Sequence, residues 1–185
     1  VDQYLYSVIR ESEVDCVRVI DIADPLQPVV VTTLPVPNGV ADNLFYWNGF
    51  VYYRDDNLAL SALDAGDPAA PQLTGVSIAA RPGALGYDYF AARGEALYMA
   101  DCVGAVVFSV SDPGAPQLLG TFDSESGGYR AYSVAASADA LYTYGREDPL
   151  LVGYLDCGSL TAVPVDGPVA RAQVARHLEL GVDPR

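Results

Sequence analysis

One phrase occurs three times along this chain: an apolar run, a rigid Asp-Pro-x-x-Pro corner, and a second apolar run. It reads first as Val19-Ile20-Asp21-Ile22-Ala23-Asp24-Pro25-Leu26-Gln27-Pro28-Val29-Val30. It returns as Leu63-Asp64-Ala65-Gly66-Asp67-Pro68-Ala69-Ala70-Pro71-Gln72-Leu73, and again as Phe108-Ser109-Val110-Ser111-Asp112-Pro113-Gly114-Ala115-Pro116-Gln117-Leu118-Leu119-Gly120. The first prolines, Pro25, Pro68 and Pro113, stand 43 and 45 residues apart. Proline holds φ near the value needed at the second position of a type I turn, and the preceding Asp accepts a bond from backbone further along. The second proline of each copy has no N–H to give a ladder, so it belongs at the first position of a strand. The aliphatic runs on either side read as strands. Each copy is therefore strand, tight corner, strand.

A second marker repeats out of phase with the first. Leu5-Tyr6, Val51-Tyr52, Leu97-Tyr98 and Leu141-Tyr142 recur every 44 to 46 residues. Turn residues precede three of them: Asn48-Gly49, Arg93-Gly94-Glu95 and Ala138-Asp139. Asn-Gly is the strongest short hairpin signal. Each unit then reads as strand A, turn, strand B with the Tyr, loop, strand C, Asp-Pro corner, strand D. Four antiparallel strands in about 45 residues is the size and content of a β-propeller blade. The expectation is an all-β propeller of about four blades (1–37, 38–80, 81–126 and 127–167), as a ring or as part of a larger one. Residues 168–185 form a tail.

The pattern of aliphatic-Tyr-x-Ala-Asp, then Val-Ile-Asp-Ile-x-Asp-Pro-x-x-Pro and an aliphatic-Gly pair, resembles the LVIVD repeat. Leu97 to Gly120 is the closest match, and the first two units match well. The fourth departs, because its expected corner is Asp156-Cys157-Gly158-Ser159, a turn without proline. The resemblance spans nearly the whole chain. It implies a propeller and a secreted or cell-surface location in a bacterium or archaeon. That family carries no settled chemistry to transfer.

Composition narrows the choice of partner. Half of the 185 residues are hydrophobic, which suits a folded chain with one sizeable core. The net charge of −14 argues against a nucleic-acid partner, which needs a basic footprint. No apolar run reaches the length of a membrane span, and a signal segment, if there was one, is expected to have been removed. The excess acid serves as a soluble surface, or binds cations. Of three cysteines, Cys16 and Cys102 sit in corresponding B–C loops of blades that are not neighbours, so no disulfide is expected between them. Cys157 falls at the opposite end of its blade. All three read as buried free thiols.

The two ends of the chain raise the remaining questions of architecture. Tyr4-Leu5-Tyr6 is already strand B of the first blade, so its strand A is expected from elsewhere: the tail, a further copy, or another chain. The tail itself has two readings. Pro168, followed by Val169, Ala172, Val174, Ala175 and Leu178 and closed by Gly181, fits a short amphipathic helix. Alternatively, Gly167 to Ala175 overlays Gly128 to Ala135 as strand A of a fifth blade.

B–C and D–A loops share one end of a propeller, and they gather acidic residues: Glu11, Glu13, Asp15, Asp55, Asp56, Asp101, Glu147 and Asp148. The candidate binding residues on this face are Arg54, Asp55, Asp56, Asp101, Arg146, Glu147 and Asp148. Arg54-Asp55-Asp56-Asn57 is the densest cluster, and its oxygens suit a hard cation such as Ca2+. A solvated turn with Arg–Asp pairing is the preferred reading, because the Asp-x-Asp-x-Asp-Gly spacing of a calcium loop is absent. Phe45, Tyr46 and Trp47 are either a stacking patch for a ligand or packing between blades. His177 is the single histidine, so neither a zinc site of usual composition nor a ready Ser-His-Asp set is available, and no catalytic residue is nominated. The leading expectation is a non-enzymatic extracellular module that binds protein or glycan. The alternatives are a structural subunit assembling through open blade edges, and a carboxylate-based hydrolase or lyase on the acidic face.

Overall fold

The structure, a computed structural model, describes residues 3–40, 43–79, 89–101, 104–123, 129–136, 140–147, 159–164 and 176–179. It is all-β, with no helix among the described residues. The first sheet is a three-stranded meander of β1 (Tyr4–Glu11), β2 (Val14–Asp21) and β3 (Val29–Pro35). The second has four strands in chain order: β4 (Leu44–Trp47), β5 (Phe50–Arg54), β6 (Ala59–Asp64) and β7 (Gln72–Ala79). The third repeats that order with β8 (Phe90–Arg93), β9 (Ala96–Asp101), β10 (Gly104–Ser109) and β11 (Gln117–Asp123). The fourth holds β12 (Tyr129–Ala136), β13 (Ala140–Glu147), β14 (Ser159–Pro164) and β15 (Arg176–Glu179). All neighbouring strands are antiparallel. The chain divides into two compact units, Val1–Ala80 with Asp112–Pro116, and Arg81–Ser111 with Gln117–Arg185.

The three Asp-Pro corners fall between β2 and β3, β6 and β7, and β10 and β11, and they share one hydrogen-bond scheme. Asp24 Oδ1 accepts from the N–H of Leu26 at 3.0 Å, Asp67 Oδ1 from Ala69 at 3.0 Å, and Asp112 Oδ1 from Gly114 at 3.2 Å. The carbonyl of the same Asp accepts the N–H three residues on, from Gln27, Ala70 and Ala115, each at 3.0 Å. An earlier side chain repeats the device: Asp21 takes the N–H of Ala23, Asp64 that of Gly66, and the Ser109 hydroxyl that of Ser111. Between these two turns, Ile22, Ala65 and Val110 donate to the carbonyls of Gln3, Gly49 and Glu95, the residues that lead into β1, β5 and β9. Turn chemistry written in five residues thus satisfies backbone that would otherwise need water.

A second regularity was not legible in the motif. The ladder after each corner slips by a bulge, between Val19 and Ile20, Ser61 and Leu63, and Val107 and Phe108. A bulge bends the strand and raises its local twist, and here it does so at the same place in three sheets. The two-residue turn before β5 has Asn48 and Gly49 both at positive φ (50° and 83°), which is the type I′ geometry that Asn-Gly favours.

Within the first unit, residues at period two form the core. Tyr6, Val8, Val17 and Leu34 of the first sheet meet Leu44, Tyr46, Val51, Tyr53 and Leu63 of the second. The Tyr6 and Tyr46 rings stack at 5.5 Å, which gives Tyr46 a packing role. The second unit packs smaller residues: Ala91, Ala96, Tyr98, Ala100, Ala105 and Val107 against Val134, Ala136 and Leu141. Burying each Val or Leu contributes roughly 1.5–3 kcal/mol.

Three expectations need correction. The tail does not form a helix across Arg176–Glu179; these residues are β15, and they pair with β14, Leu178 opposite Leu160. A lone amphipathic segment this short is marginal as a helix, and the ladder offered by β14 outweighs its local period. Nor is a corner at Asp156-Cys157-Gly158-Ser159 compatible with the pairing. Ser159 already lies in β14 opposite Gly145 of β13, so the residues that follow it are the third strand of the sheet, not the fourth. Without prolines, nothing local marked where that corner falls. Finally, the crowded acidic loop expected after β1 is a two-residue turn at Ser12 and Glu13, both at positive φ, and β2 begins at Val14. The fifth-blade overlay of Gly167 to Ala175 lies outside the described residues, as do Cys102 and Cys157.

Because each corner is capped by its own carboxylate, Asp67→Ala lowers stability in urea unfolding by about 1 kcal/mol. Asp67→Asn, which keeps an accepting oxygen, loses less than half of that. Equal losses from the two variants would show that charge, not the turn bond, matters there.

Candidate functional site

β5 ends at Arg54, and the chain must reverse into β6 within Asp55-Asp56-Asn57-Leu58. Leu58 adopts φ of 64°, a conformation that a leucine enters only when its surroundings compel it. The compulsion comes from Asp55. Its N–H donates to Ala59 O and its carbonyl accepts Leu58 N–H, both at 2.9 Å. Its carboxylate, 0% exposed, accepts four more bonds. Oδ1 takes the N–H groups of Asn57 (2.9 Å) and Ala59 (3.0 Å), and Oδ2 takes the hydroxyls of Ser61 (3.1 Å) and Ser77 (3.4 Å). A buried carboxylate is tolerable only with such a set of donors.

Two aspartates hold the crossover from the first sheet to the second, Asp15 by its carboxylate and backbone and Asp56 by its backbone. Asp15 accepts Val36 N–H on its carbonyl (2.8 Å) and Val40 N–H on Oδ2 (3.2 Å), with Arg10 Nε 3.8 Å from its Oδ1. Asp56 donates its N–H to Asn38 O at 2.9 Å, and its side chain lies against Gly39. Gly39 has φ of 71°, a conformation that favours glycine, and a Cβ there would push aside the exposed side chain of Asp56.

Beside this network the first unit has a shallow cavity of about 190 Å3, lined by Asn38, Tyr53, Ser61, Leu73, Gly75 and Ser77 among others. Tyr53 is held protonated, its pKa pushed up to about 12 by burial first and by the Asp55 carboxylate second, against a smaller opposing effect of its Ser61 hydrogen bond. Tyr52 on the same strand is likewise pushed up to about 12 by burial and then by Asp112, and its hydroxyl donates to Pro113 O at 3.1 Å. The hydroxyls of Ser61 and Ser77 are both committed as donors to Asp55. These bonds order the turn, and no imidazole is present among the described residues of this unit.

The acidic residues singled out in the sequence therefore divide by role. Arg54 and Asp55 are buried, and Asp56 is exposed at the crossover. Asp101, at the end of β9 and 2% exposed, takes Gly104 N–H on Oδ1 at 2.7 Å. It stands three residues after Tyr98 as Asp55 stands three after Tyr52, and it closes the same turn of the third sheet. Arg146 and Glu147 are backbone positions at the end of β13, opposite Arg130 and Tyr129. Asp148 lies outside the described residues. Among the described residues no group of three or more His, Cys, Asp or Glu side chains is arranged to hold a metal ion. Cys16 is buried and free, its Sγ 3.7 Å from Val14 O. Ser61 and Ser77 were not nominated from sequence. The available signal was a hydroxyl inside the fully buried run Ala59-Leu60-Ser61-Ala62-Leu63, which demands a partner.

Asp55→Ala strands two N–H groups and two hydroxyls, and should cost about 3 kcal/mol or more in urea unfolding, whereas Asp56→Ala stays within about 0.5 kcal/mol. Comparable losses from the two would remove Asp55 from its role. The tyrosines add a dependence on alkali. Folding holds Tyr52 and Tyr53 protonated to about 12, while the unfolded chain ionises near 10, so the native state binds more protons and its advantage is lost as pH rises from 10 to 12. Tyr53→Phe should flatten that fall when stability is measured between pH 8 and 12.

No family model and no curated protein matches this chain. Among solved structures, it is similar to a chain in the S. cerevisiae complex of Dbp5 with Nup159, Gle1, IP6 and ADP, at 14% identity and a TM-score of 0.50. The match covers 87% of this chain and 45% of that one, so this chain spans less than half of its length. At that identity the likeness is one of fold alone.

Proposed function

We propose that the four sheets are blades of a β-propeller of the LVIVD-repeat type, and that the protein is a non-enzymatic module binding a protein or glycan outside the cell. The observation that carries this reading is a recurring exposed apolar position. Immediately after each corner, Val29 and Val30 on β3, Leu73 on β7, and Leu118 and Leu119 on β11 are between 42% and 61% exposed. Single exposed leucines need no explanation, but the same position left apolar and open in three sheets is a surface kept for contact. The acidic side chains support the non-enzymatic part, since Asp15, Asp55 and Asp101 are engaged in holding backbone. The matching corner bonds in three sheets support the blade reading.

Replacing Val29, Val30, Leu73, Leu118 and Leu119 with serine or threonine should abolish binding to whichever ligands of a glycan array and a panel of extracellular proteins the parent chain retains. Thermal unfolding should change little, because these side chains are already in water. In parallel, chromogenic esters, glycosides and phosphates should show no turnover. Turnover that disappears in Asp56→Asn would replace the binding module with a carboxylate enzyme.

A further inference from the structure

The bulge after the corner is not equally wide in the three sheets. In the first sheet one residue, Val31, is left over where the register slips, and in the third one residue, Leu119. In the second, between the pairs Ser61–Ser77 and Leu63–Leu73, Ala62 stands against three residues, Thr74, Gly75 and Val76. The wider bulge is internally bonded. Thr74 Oγ1 donates to Ala62 O at 2.8 Å and accepts Val76 N–H at 3.2 Å, while Gly75 takes φ of 76°. Ala62, Leu73, Gly75, Val76 and Ser77, all of this bulge, line the cavity of about 190 Å3 in the first unit. A bulge re-aims side chains and backbone, and here it accompanies a binding-sized space.

The cavity has a buried floor and an open rim. Tyr53, Ser61 and Ala62 are buried, while Asn38, Leu73, Gly75 and Ser77 are exposed. The Asp55 carboxylate lies behind the two serines, whose hydroxyls donate to it at 3.1 and 3.4 Å. With those protons committed, the Ser61 and Ser77 oxygens offer only lone pairs to a guest. The charge of Asp55 reaches this side, because it helps to hold the Tyr53 hydroxyl protonated. A field that disfavours a phenolate favours a cation in the same space. A metal ion is a poor guest, since the acceptor sites of Asp55 are already filled by four donors. The remaining lining at Pro37, Ala62, Leu73 and Val76 is apolar. At about 190 Å3 the space is smaller than the roughly 300–1,000 Å3 of sites for drug-sized molecules, yet larger than a cavity of about 150 Å3 that holds a benzene.

We propose that this cavity binds a primary alkylammonium group, carried by a lysine side chain of a partner or by a free amine. Its methylenes lie against Ala62, Leu73 and Val76, and its N–H groups donate to the Ser61 and Ser77 oxygens, with Asp55 behind them as counter-charge. The net charge of −14 draws such cations toward the chain. The site does not depend on what the exposed apolar positions bind, although Leu73 belongs to both.

The test titrates the isotope-labelled 185-residue chain with n-butylammonium chloride at constant total chloride and follows amide chemical shifts. Saturable shifts should fall on Tyr53, Ser61, Ala62, Gly75 and Ser77. The neutral analogue n-butanol should bind about ten-fold more weakly or worse, because it lacks the charge that Asp55 attracts. Ala62→Leu fills the floor and should abolish the saturable shifts. If that variant folds poorly, the comparison of butylammonium with butanol on the parent chain still decides. Nα-acetyl-lysine methylamide and spermidine separate the two sources: tighter binding of the first supports a partner's lysine, and tighter binding of the second supports a free polyamine. The absence of saturable shifts with all three amines would overturn the proposal. So would equal binding of butanol and butylammonium, which would leave only an apolar slot. A chain with Val29, Val30, Leu118 and Leu119 replaced but Leu73 kept should bind butylammonium unchanged, so the two readings fail separately.

Discussion

An aspartate carboxylate accepting a backbone N–H of a nearby turn is the interaction on which this fold depends. Asp21, Asp24, Asp64, Asp67 and Asp112 each take the N–H two residues downstream, Asp101 takes one three residues on, and Asp55 takes two. Asp15 does so at longer range, for Val40. Such a bond lets the chain reverse without leaving a donor unmet, and at Asp55 and Asp101 the site is too deep for water to substitute. Eight of the 24 acidic residues behind the net charge of −14 therefore have a structural role. A reading of the chain as an acidic surface awaiting a cation has to begin from what those carboxylates already hold.

The corners were legible because everything they need is local. Asp24-Pro25, Asp67-Pro68 and Asp112-Pro113 specify their own dihedrals and their own hydrogen bonds, so tertiary context has little to change. The Asn48-Gly49 turn was legible for the same reason. Where local chemistry is weak, the reading failed. Asp156-Cys157-Gly158-Ser159 has no proline, and its assignment as a corner came only from counting residues, whereas the pairing of Ser159 with Gly145 is decided by a strand fourteen positions away. The tail was ambiguous between two periods, and the ladder offered by β14 resolved Arg176–Glu179 in favour of a strand.

The candidate site shows the same division. Asp55 and Asp101 stand out in sequence as acids at the same repeat position, three residues after the tyrosine, but their burial and their donors do not. Ser61 and Ser77 meet Asp55 only because the register of β6 and β7 sets the two serines opposite one another. Gly39 is likewise unremarkable in sequence until Asp56 is seen lying against it. Residue type and spacing identified where polar groups collect. Their consequences depended on registers that no single segment encodes.

The corner has a further consequence for how tandem segments of similar pattern avoid pairing with one another as the chain emerges from the ribosome. β2, β6 and β10 are similar enough that each is a plausible partner for β3, β7 or β11. A correct hairpin closes across a handful of residues, whereas the nearest wrong one must close across a whole repeat. With loop-closure entropy growing as the logarithm of length, that difference disfavours the wrong pair by about 2 kcal/mol before any side chain has packed. Cross-repeat mispairing, a hazard of tandem domains, is thereby discouraged from the earliest contacts, with proximity along the chain discriminating among strands that composition alone does not separate.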